Sequence, residues 1–261
     1  MANRTALITG ASGGIGYELA KQFAKNGHDL VLAARNADKL KEIAEELQTA
    51  WKITAHIVPM NLAQSDAPNE LFHYLERNNI TIDFLVNNAG FGIHGKFSES
   101  ELQEQLDLLQ LNITTLTHLS RLFLPGMLKR KFGGILNIAS TAAFQPGPMM
   151  ATYYASKSYV LFLSEALAVE TKGTGVWVSV ICPGPTGTGF QKRAGVEETI
   201  LMKKTGLMMN VSKVAAVGYA GFMKKKAIII PGVANRMFAL GPRFSPRKLT
   251  REIVQYLHNG V

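Results

Sequence analysis

A chain of 261 residues that is 47% hydrophobic and 18% charged has the composition of a packed globular protein and excludes a disordered one. Its single cysteine, Cys182, excludes an internal disulfide and makes a reducing cytoplasm the expected compartment. No apolar run approaches the roughly 18 residues of a membrane span, and the amino end shows no signal-peptide anatomy. The net charge of +9 is carried by one region: residues 191–261 hold 13 Lys and Arg against 3 acids, and residues 1–190 hold 15 against 16.

In chain order, short apolar runs fall at residues 5–9, 30–34, 54–58, 84–86, 135–139, 176–181 and 227–230. Helical patterns separate them; in residues 36–48, for example, Leu40, Ile43, Ala44 and Leu47 recur at helical spacing. Strands that are apolar throughout, alternating with helices, predict a parallel sheet covered on both faces. The expectation is an α/β protein: a single doubly wound domain over residues 1–261, with a seven-stranded, mainly parallel sheet and helices on both faces. No repeat, low-complexity tract or linker divides the chain. Ligands of such a sheet gather beyond the carboxyl ends of its strands.

The first run ends in Thr9-Gly10-Ala11-Ser12-Gly13-Gly14-Ile15-Gly16 and leads into a helical pattern. Glycines permit a tight turn and close backbone approach to a pyrophosphate, and the N–H groups of the following helix favour an anion there. This predicts a Rossmann-type dinucleotide site, with a glycine spacing one residue longer than the common fingerprint. The second run decides which dinucleotide. An NAD site places a carboxylate at its end, whereas here Ala33 and Ala34 are followed by Arg35 and Asn36. A guanidinium holds a 2′-phosphate by charge-assisted bonds, so NADP(H) is expected. The alternative for Arg35 is a solvated loop residue.

Further motifs follow in order: Asn87-Asn88-Ala89-Gly90 after the fourth run, Asn112 in the next helix, Ser140 after the fifth run, Tyr153-x-x-x-Lys157, and Pro183-Gly184 after the sixth. Tyr153 and Lys157, four residues apart in a helical stretch, share one face. Reducing a carbonyl needs a proton for oxygen, and a phenol with a pKa near 10 is a poor acid until a neighbouring cation stabilises its phenolate. In sequence and spacing this set resembles the short-chain dehydrogenase/reductase family, NADP-preferring type, over most of the chain. The resemblance implies a catalytic set of Asn112, Ser140, Tyr153 and Lys157. In it Ser140 bonds the substrate oxygen, Lys157 also holds the nicotinamide ribose, and Asn112 anchors a water of the proton relay. It implies cofactor contacts from Gly10, Ser12, Gly13, Gly14, Ile15 and Gly16, from Arg35, and from Asn88, Ala89 and Gly90. Asn61 and Leu62 stand where the family commonly has Asp and an aliphatic residue near the adenine. Pro183, Gly184, Thr186 and Thr188 resemble the segment at the nicotinamide carboxamide, with Thr186 in place of the usual Val or Ile. Dimers or tetramers are the family's assemblies.

Residues 189–212 occupy the place of a substrate lid and include Phe190, Val196, Ile200, Leu201, Met202, Leu207, Met208 and Met209. Phe91, Ile93, His94, Phe144, Met149 and Met150 are further wall candidates. Methionines suit an adaptable apolar pocket for a ketone, aldehyde or 3-oxoacyl substrate, and the same residues also suit lid packing or a subunit contact. No histidine or cysteine spacing fits a metal, and no nucleic-acid recognition motif accompanies the charge. The basic region, including Lys224-Lys225-Lys226 ahead of the last run, suits either weak peripheral docking on an anionic surface or packing and subunit contacts. Three function classes follow: a soluble reductase, the same enzyme held at an anionic surface or acting on phosphorylated acyl carriers, and a non-catalytic NADP-binding or interaction protein.

Overall fold

The computed structural model describes residues 4–203 and 206–259. Lys204 and Thr205 of the expected lid, and the last two residues of the basic region, lie outside the described residues, as do the first three. The strands are β1 (Thr5–Thr9), β2 (Asp29–Ala34), β3 (Ala55–Pro59), β4 (Phe84–Asn87), β5 (Gly133–Ile138), β6 (Val176–Ile181) and β7 (Ile228–Ile229). The helices are α1 (Gly14–Lys25), α2 (Ala37–Trp51), α3 (Ala67–Arg77), α4 (Leu102–Leu109), α5 (Leu116–Arg130), α6 (Ala151–Glu170), α7 (Phe190–Ala194), α8 (Ile200–Lys203), α9 (Val211–Met223), α10 (Val233–Phe244) and α11 (Arg247–His258). A π-type turn, Gln110–Thr115, joins α4 to α5.

Among the described residues the strands form one seven-stranded sheet in the order β3-β2-β1-β4-β5-β6-β7, and every pairing is parallel. The mainly parallel sheet of the sequence reading is thus parallel throughout. Continuous apolar runs follow from burial on both faces. In β1, Ala6 and Ile8 enter the core layer shared with α1, α2 and α9, and Leu7 enters the opposite layer beneath α3 and α5. In β2, Leu30, Leu32 and Ala34 alternate in the same way with Val31 and Ala33. Each strand therefore stabilises two layers, and a polar residue on either side needs a side-chain partner in place of water, as Asn137 has in Asn87 and Ser164.

The chain crosses the sheet after β3, so that β1 lies between β2 and β4. At that reversal the connections leave opposite faces and a crevice opens at the carboxyl ends of the strands. Lys224, Lys225 and Lys226 are exposed at the other end, ahead of β7, and the Lys225 ammonium stacks 4.9 Å over the ring of Trp177 near the start of β6. No helix among the described residues is long and apolar enough to cross a membrane.

Candidate active site

The crevice holds a cleft of about 930 Å³. Its floor at one end is the turn between β1 and α1. Gly10 and Gly14 adopt φ of +66° and +54°, a region that side chains resist. No side chain caps the N-terminus of α1 and no acid lies in its first turn, while Ser12, Gly13, Gly14 and Ile15 line the cleft. An anion bound there would meet free backbone N–H groups and the positive end of the helix. Gly16 does not reach the cleft; a Cβ on it would strike the Gly10 carbonyl and the Asn88 amide, so its role is to seat α1 against the turn.

Asn88 explains how the turn is held. Its side-chain amide donates to the carbonyls of Thr9 (2.9 Å) and Gly10 (3.2 Å), and its backbone N–H donates to the Thr9 hydroxyl (2.9 Å). The Ala89 N–H donates to the same hydroxyl (3.0 Å). Asn88, Ala89 and Gly90 line the cleft, but the Asn88 side chain is engaged in bracing. Opposite, the loop after β6 closes over the turn, with the Thr188 methyl 3.3 Å from where a Cβ on Gly14 would stand. Pro183, Gly184 and Thr186 line the cleft beside it.

Arg35 follows β2 and is exposed at the cleft, with Asn61 and Leu62 nearby after β3. Asn36 caps α2 by accepting from the Lys39 N–H (2.9 Å), which fixes where Arg35 leaves the strand. A second guanidinium, Arg193 of α7, lines the same cleft and lies 4.2 Å over the ring of Phe91. Partial burial, then the proximity of Arg35, disfavours its charge, so the two cations share one region with room for an anion. Only fold-level packing brings Arg193 there, and its sequence surroundings gave no sign of it.

Ser140, Tyr153 and Lys157 converge on one wall. Ser140 follows β5, and its hydroxyl oxygen accepts from the Ala142 N–H (3.1 Å), which opens a short helical turn. Tyr153 and Lys157 lie one turn apart on α6, with the ammonium 5.8 Å from the phenol ring centre. The Ser140 hydroxyl is directed at the Pro183 carbonyl (3.4 Å), and its proximity favours the charged form of the Tyr153 phenol. Lys157 donates to the Ile138 carbonyl at the end of β5 (2.9 Å). Burial dominates both titrations: the phenol is pushed up to about 12, against the pull of Ser140, and the ammonium is drawn down to about 8. The expected lowering of the tyrosine by its lysine is not seen in the protein alone, where loss of solvent raises the phenol.

Asn112 is buried in the π-type turn behind this wall and does not line the cleft. Its amide clamps Phe91, accepting from the Phe91 N–H (3.1 Å) and donating to its carbonyl (3.0 Å), and it also donates to the Ser156 hydroxyl (3.1 Å).

At the far end the cleft turns apolar, lined by Phe91, Met150, Phe190, Val196, Leu201, Met202, Leu207 and Phe238. Ile93, His94, Phe144 and Met149 are not lining residues; Phe144 packs into the core beside α6. His94 instead donates its Nε2–H to the His258 carbonyl (2.9 Å) and so pins the end of α11. The His258 ring reaches the cleft wall and bonds the Tyr154 hydroxyl at 2.7 Å, beside Tyr153. Asn235 of α10 stands against Gly184 and donates to the Pro231 carbonyl (3.0 Å). The spacing of Thr250, Val254 and His258, all buried on one face of α11, is the signal that could have revealed His258.

Burial, and secondarily His94, holds the His258 imidazole down at about 4. Between that value and its usual 6.5 the unfolded chain binds the proton that the folded one refuses, so stability rises with pH across this window and falls as pH drops through it. Thermal denaturation at pH 7 and pH 5 should show the loss, at up to about 1.4 kcal/mol per pH unit, and His258→Gln should flatten it. An unchanged pH slope in the variant would remove His258 as its source.

A sequence model described as short chain dehydrogenase matches residues 4–199. The very-long-chain 3-oxoacyl-CoA reductase of Rattus norvegicus is 31% identical over 219 residues, covering 82% of this chain and 68% of that one. Among solved structures, a short-chain dehydrogenase from Sphingobium yanoikuyae in complex with NADPH has a TM-score of 0.83 at 32% identity, covering 92% of this chain and 93% of that one. The bulky-bulky ketone specific alcohol dehydrogenase from Comamonas testosteroni has a TM-score of 0.79 at 31% identity, covering 94% and 93%.

Proposed function

The chain belongs to the short-chain dehydrogenase/reductase family, oxidoreductases of alcohol and ketone groups, and from that premise we propose that it is an NADP(H)-dependent reductase of apolar carbonyl compounds. The observation that carries this is one continuous cleft. It runs from the uncapped end of α1, past Ser140, Tyr153 and Lys157, to an apolar end walled by Phe91, Met150 and Phe190.

When bound, the dinucleotide supplies the hydride. The residues of the chain do the rest. The Gly10–Gly16 turn and the start of α1 hold the pyrophosphate, braced by Asn88. Arg35, with Arg193 from the lid, meets a 2′-phosphate, and the absence of a carboxylate after β2 disfavours the bare ribose of NAD. Asn61, Leu62, Ala89 and Gly90 follow the adenosine and ribose; Pro183, Gly184, Thr186 and Thr188 face the nicotinamide end. The Tyr153 hydroxyl donates the proton to the carbonyl oxygen, which Ser140 orients. Lys157 keeps a positive charge behind the phenol, so that the phenolate left by proton donation is stabilised. Asn112 fixes Phe91 and the floor beneath Lys157. Residues 189–212 act as the lid, and the NADPH complex and the ketone and 3-oxoacyl relatives support the cofactor and an apolar substrate. A homo-oligomer is supported by exposed apolar side chains on α4 and α6, among them Leu102, Phe162 and Val169.

Arg35→Asp is expected to weaken NADPH binding roughly ten- to a hundredfold and to leave NADH binding equal or better, the loss of one charge-assisted phosphate contact. Fluorescence titration with both cofactors checks it; a wild type that prefers NADH would overturn the assignment. A screen of NADPH oxidation against ketones, aldehydes and 3-oxoacyl thioesters identifies the substrate class, and preference for hydrophilic polyols would refute the apolar reading.

A further inference from the structure

The last two helices are built with two opposite faces. On α10, Asn235 and Ala239 are buried, and Asn235 and Phe238 line the cleft. The other side of the helix presents Val233, Met237, Leu240 and Phe244, spaced by four, three and four residues. That spacing makes one stripe, and it faces water: Val233 is 74% exposed, Met237 71% and Phe244 87%. On α11, the next helix, Thr250, Val254 and His258 face inward, and Leu249, Ile253 and Tyr256 are exposed.

Around this surface stand Arg236, Arg243, Arg247, Lys248 and Arg251, all exposed, against one acid, Glu252. No ion pair engages any of these five cations among the described residues. Large apolar side chains that stay in water cost free energy, and an exposed apolar stripe with unpaired cations beside it marks a partner that is apolar inside and anionic at its surface.

We propose that the α10–α11 face is a membrane-docking surface that lies in the headgroup region of an anionic bilayer. The stripe would bury among the acyl chains while the cations meet lipid phosphates and carboxylates. A second copy of the chain fits this face less well, because a two-fold contact would set the cations against their own images with a single acid per copy to offset them. The Lys224–Lys226 run is a weaker site for the same lipids, since no comparable apolar stripe accompanies its charge. Docking on α10–α11 has a further consequence. The cleft wall and the stripe are opposite sides of the same helices, about 10 Å apart, so docking brings the substrate end close to apolar compounds dissolved in the bilayer. This consequence rests on the apolar-substrate reading; the docking itself does not.

Flotation of the full chain with phosphatidylcholine vesicles, with and without roughly 30% phosphatidylglycerol, tests the proposal independently of activity. Binding is expected to anionic vesicles at low ionic strength, to weaken in about 0.5 M salt, and to be slight with phosphatidylcholine alone. Met237→Glu and Phe244→Glu should each reduce it roughly tenfold or more, while reduction of a water-soluble ketone stays unchanged. A triple change of Lys224, Lys225 and Lys226 to Glu should leave most of the binding. The proposal is overturned if the wild type does not float, if the triple variant alone abolishes flotation, or if Phe244→Glu converts a dimer to a monomer without affecting vesicles. Failure of the ketone screen with flotation intact would reject the enzymatic reading and leave the docking surface standing.

Discussion

Tyr153→Phe is expected to lower kcat by about 10²-fold or more while NADPH still binds with nearly its wild-type affinity. The six-membered ring remains to pack against Phe190, 5.3 Å away between ring centres, so that contact survives the substitution. What disappears is the hydroxyl proposed as the proton donor. Tyr154 does not rescue it, because its own hydroxyl is taken by His258 and burial raises its pKa as well. Turnover at saturating NADPH and a separate binding titration distinguish the two effects. Near-normal turnover would remove Tyr153 from the mechanism, and equal loss of cofactor affinity would make its role one of packing.

Lys157→Met is expected to lose activity on a similar scale and yet to gain stability without cofactor. At pH 7 the lysine is protonated in folded and unfolded chains alike. Burial draws its pKa from the usual 10.5 down to about 8, so the folded state carries the charge at a cost on the order of 3 kcal/mol. That cost is relieved as pH rises from about 8 to 10.5, where the folded lysine is already neutral, so the wild type should gain stability across this range. Methionine removes the charge and fills similar volume, but leaves the Ile138 carbonyl without its donor, a loss of about 1 kcal/mol. The net effect is a rise in Tm of a few degrees at pH 7, on the scale of about 2–4 °C per kcal/mol for a chain this size. Calorimetry on the two proteins decides it: a lower Tm in the variant would mean that Lys157 is structural, and the paired loss of activity would then carry no mechanistic weight.

The sheet and the chemistry at strand ends were readable because each rests on local pattern. Residues 6–8 alternate between two core layers, which needs nothing beyond apolar side chains in succession. Gly10 and Gly14 are where the backbone turns left-handed, and Tyr153 and Lys157 share a face because a helix has 3.6 residues per turn. The seventh run was placed at residues 227–230, and only Ile228 and Ile229 pair with β6, since edge pairing depends on a neighbour. What the sequence concealed depends on contacts between distant segments. Asn88 and Asn112 have the residue types of a ligand site, but their amides are spent on backbone at Gly10 and Phe91. His94, a wall candidate by sequence, instead holds the carbonyl of His258, 164 residues later. The charge count placed cations in the C-terminal region without showing that α10 and α11 set an apolar stripe among them.

The reversal of strand order also shapes how the molecule comes into being. β1 is completed on its second side only by β4, and the Asn88–Thr9 bonds join segments 79 residues apart. Thr188 must then arrive over Gly14 from the far half of the chain. Such non-local pairings raise contact order, and loop-closure entropy has to be met before the contacts return anything. A nascent chain released before residue 188 therefore contains the glycine turn but lacks the loop that closes over it.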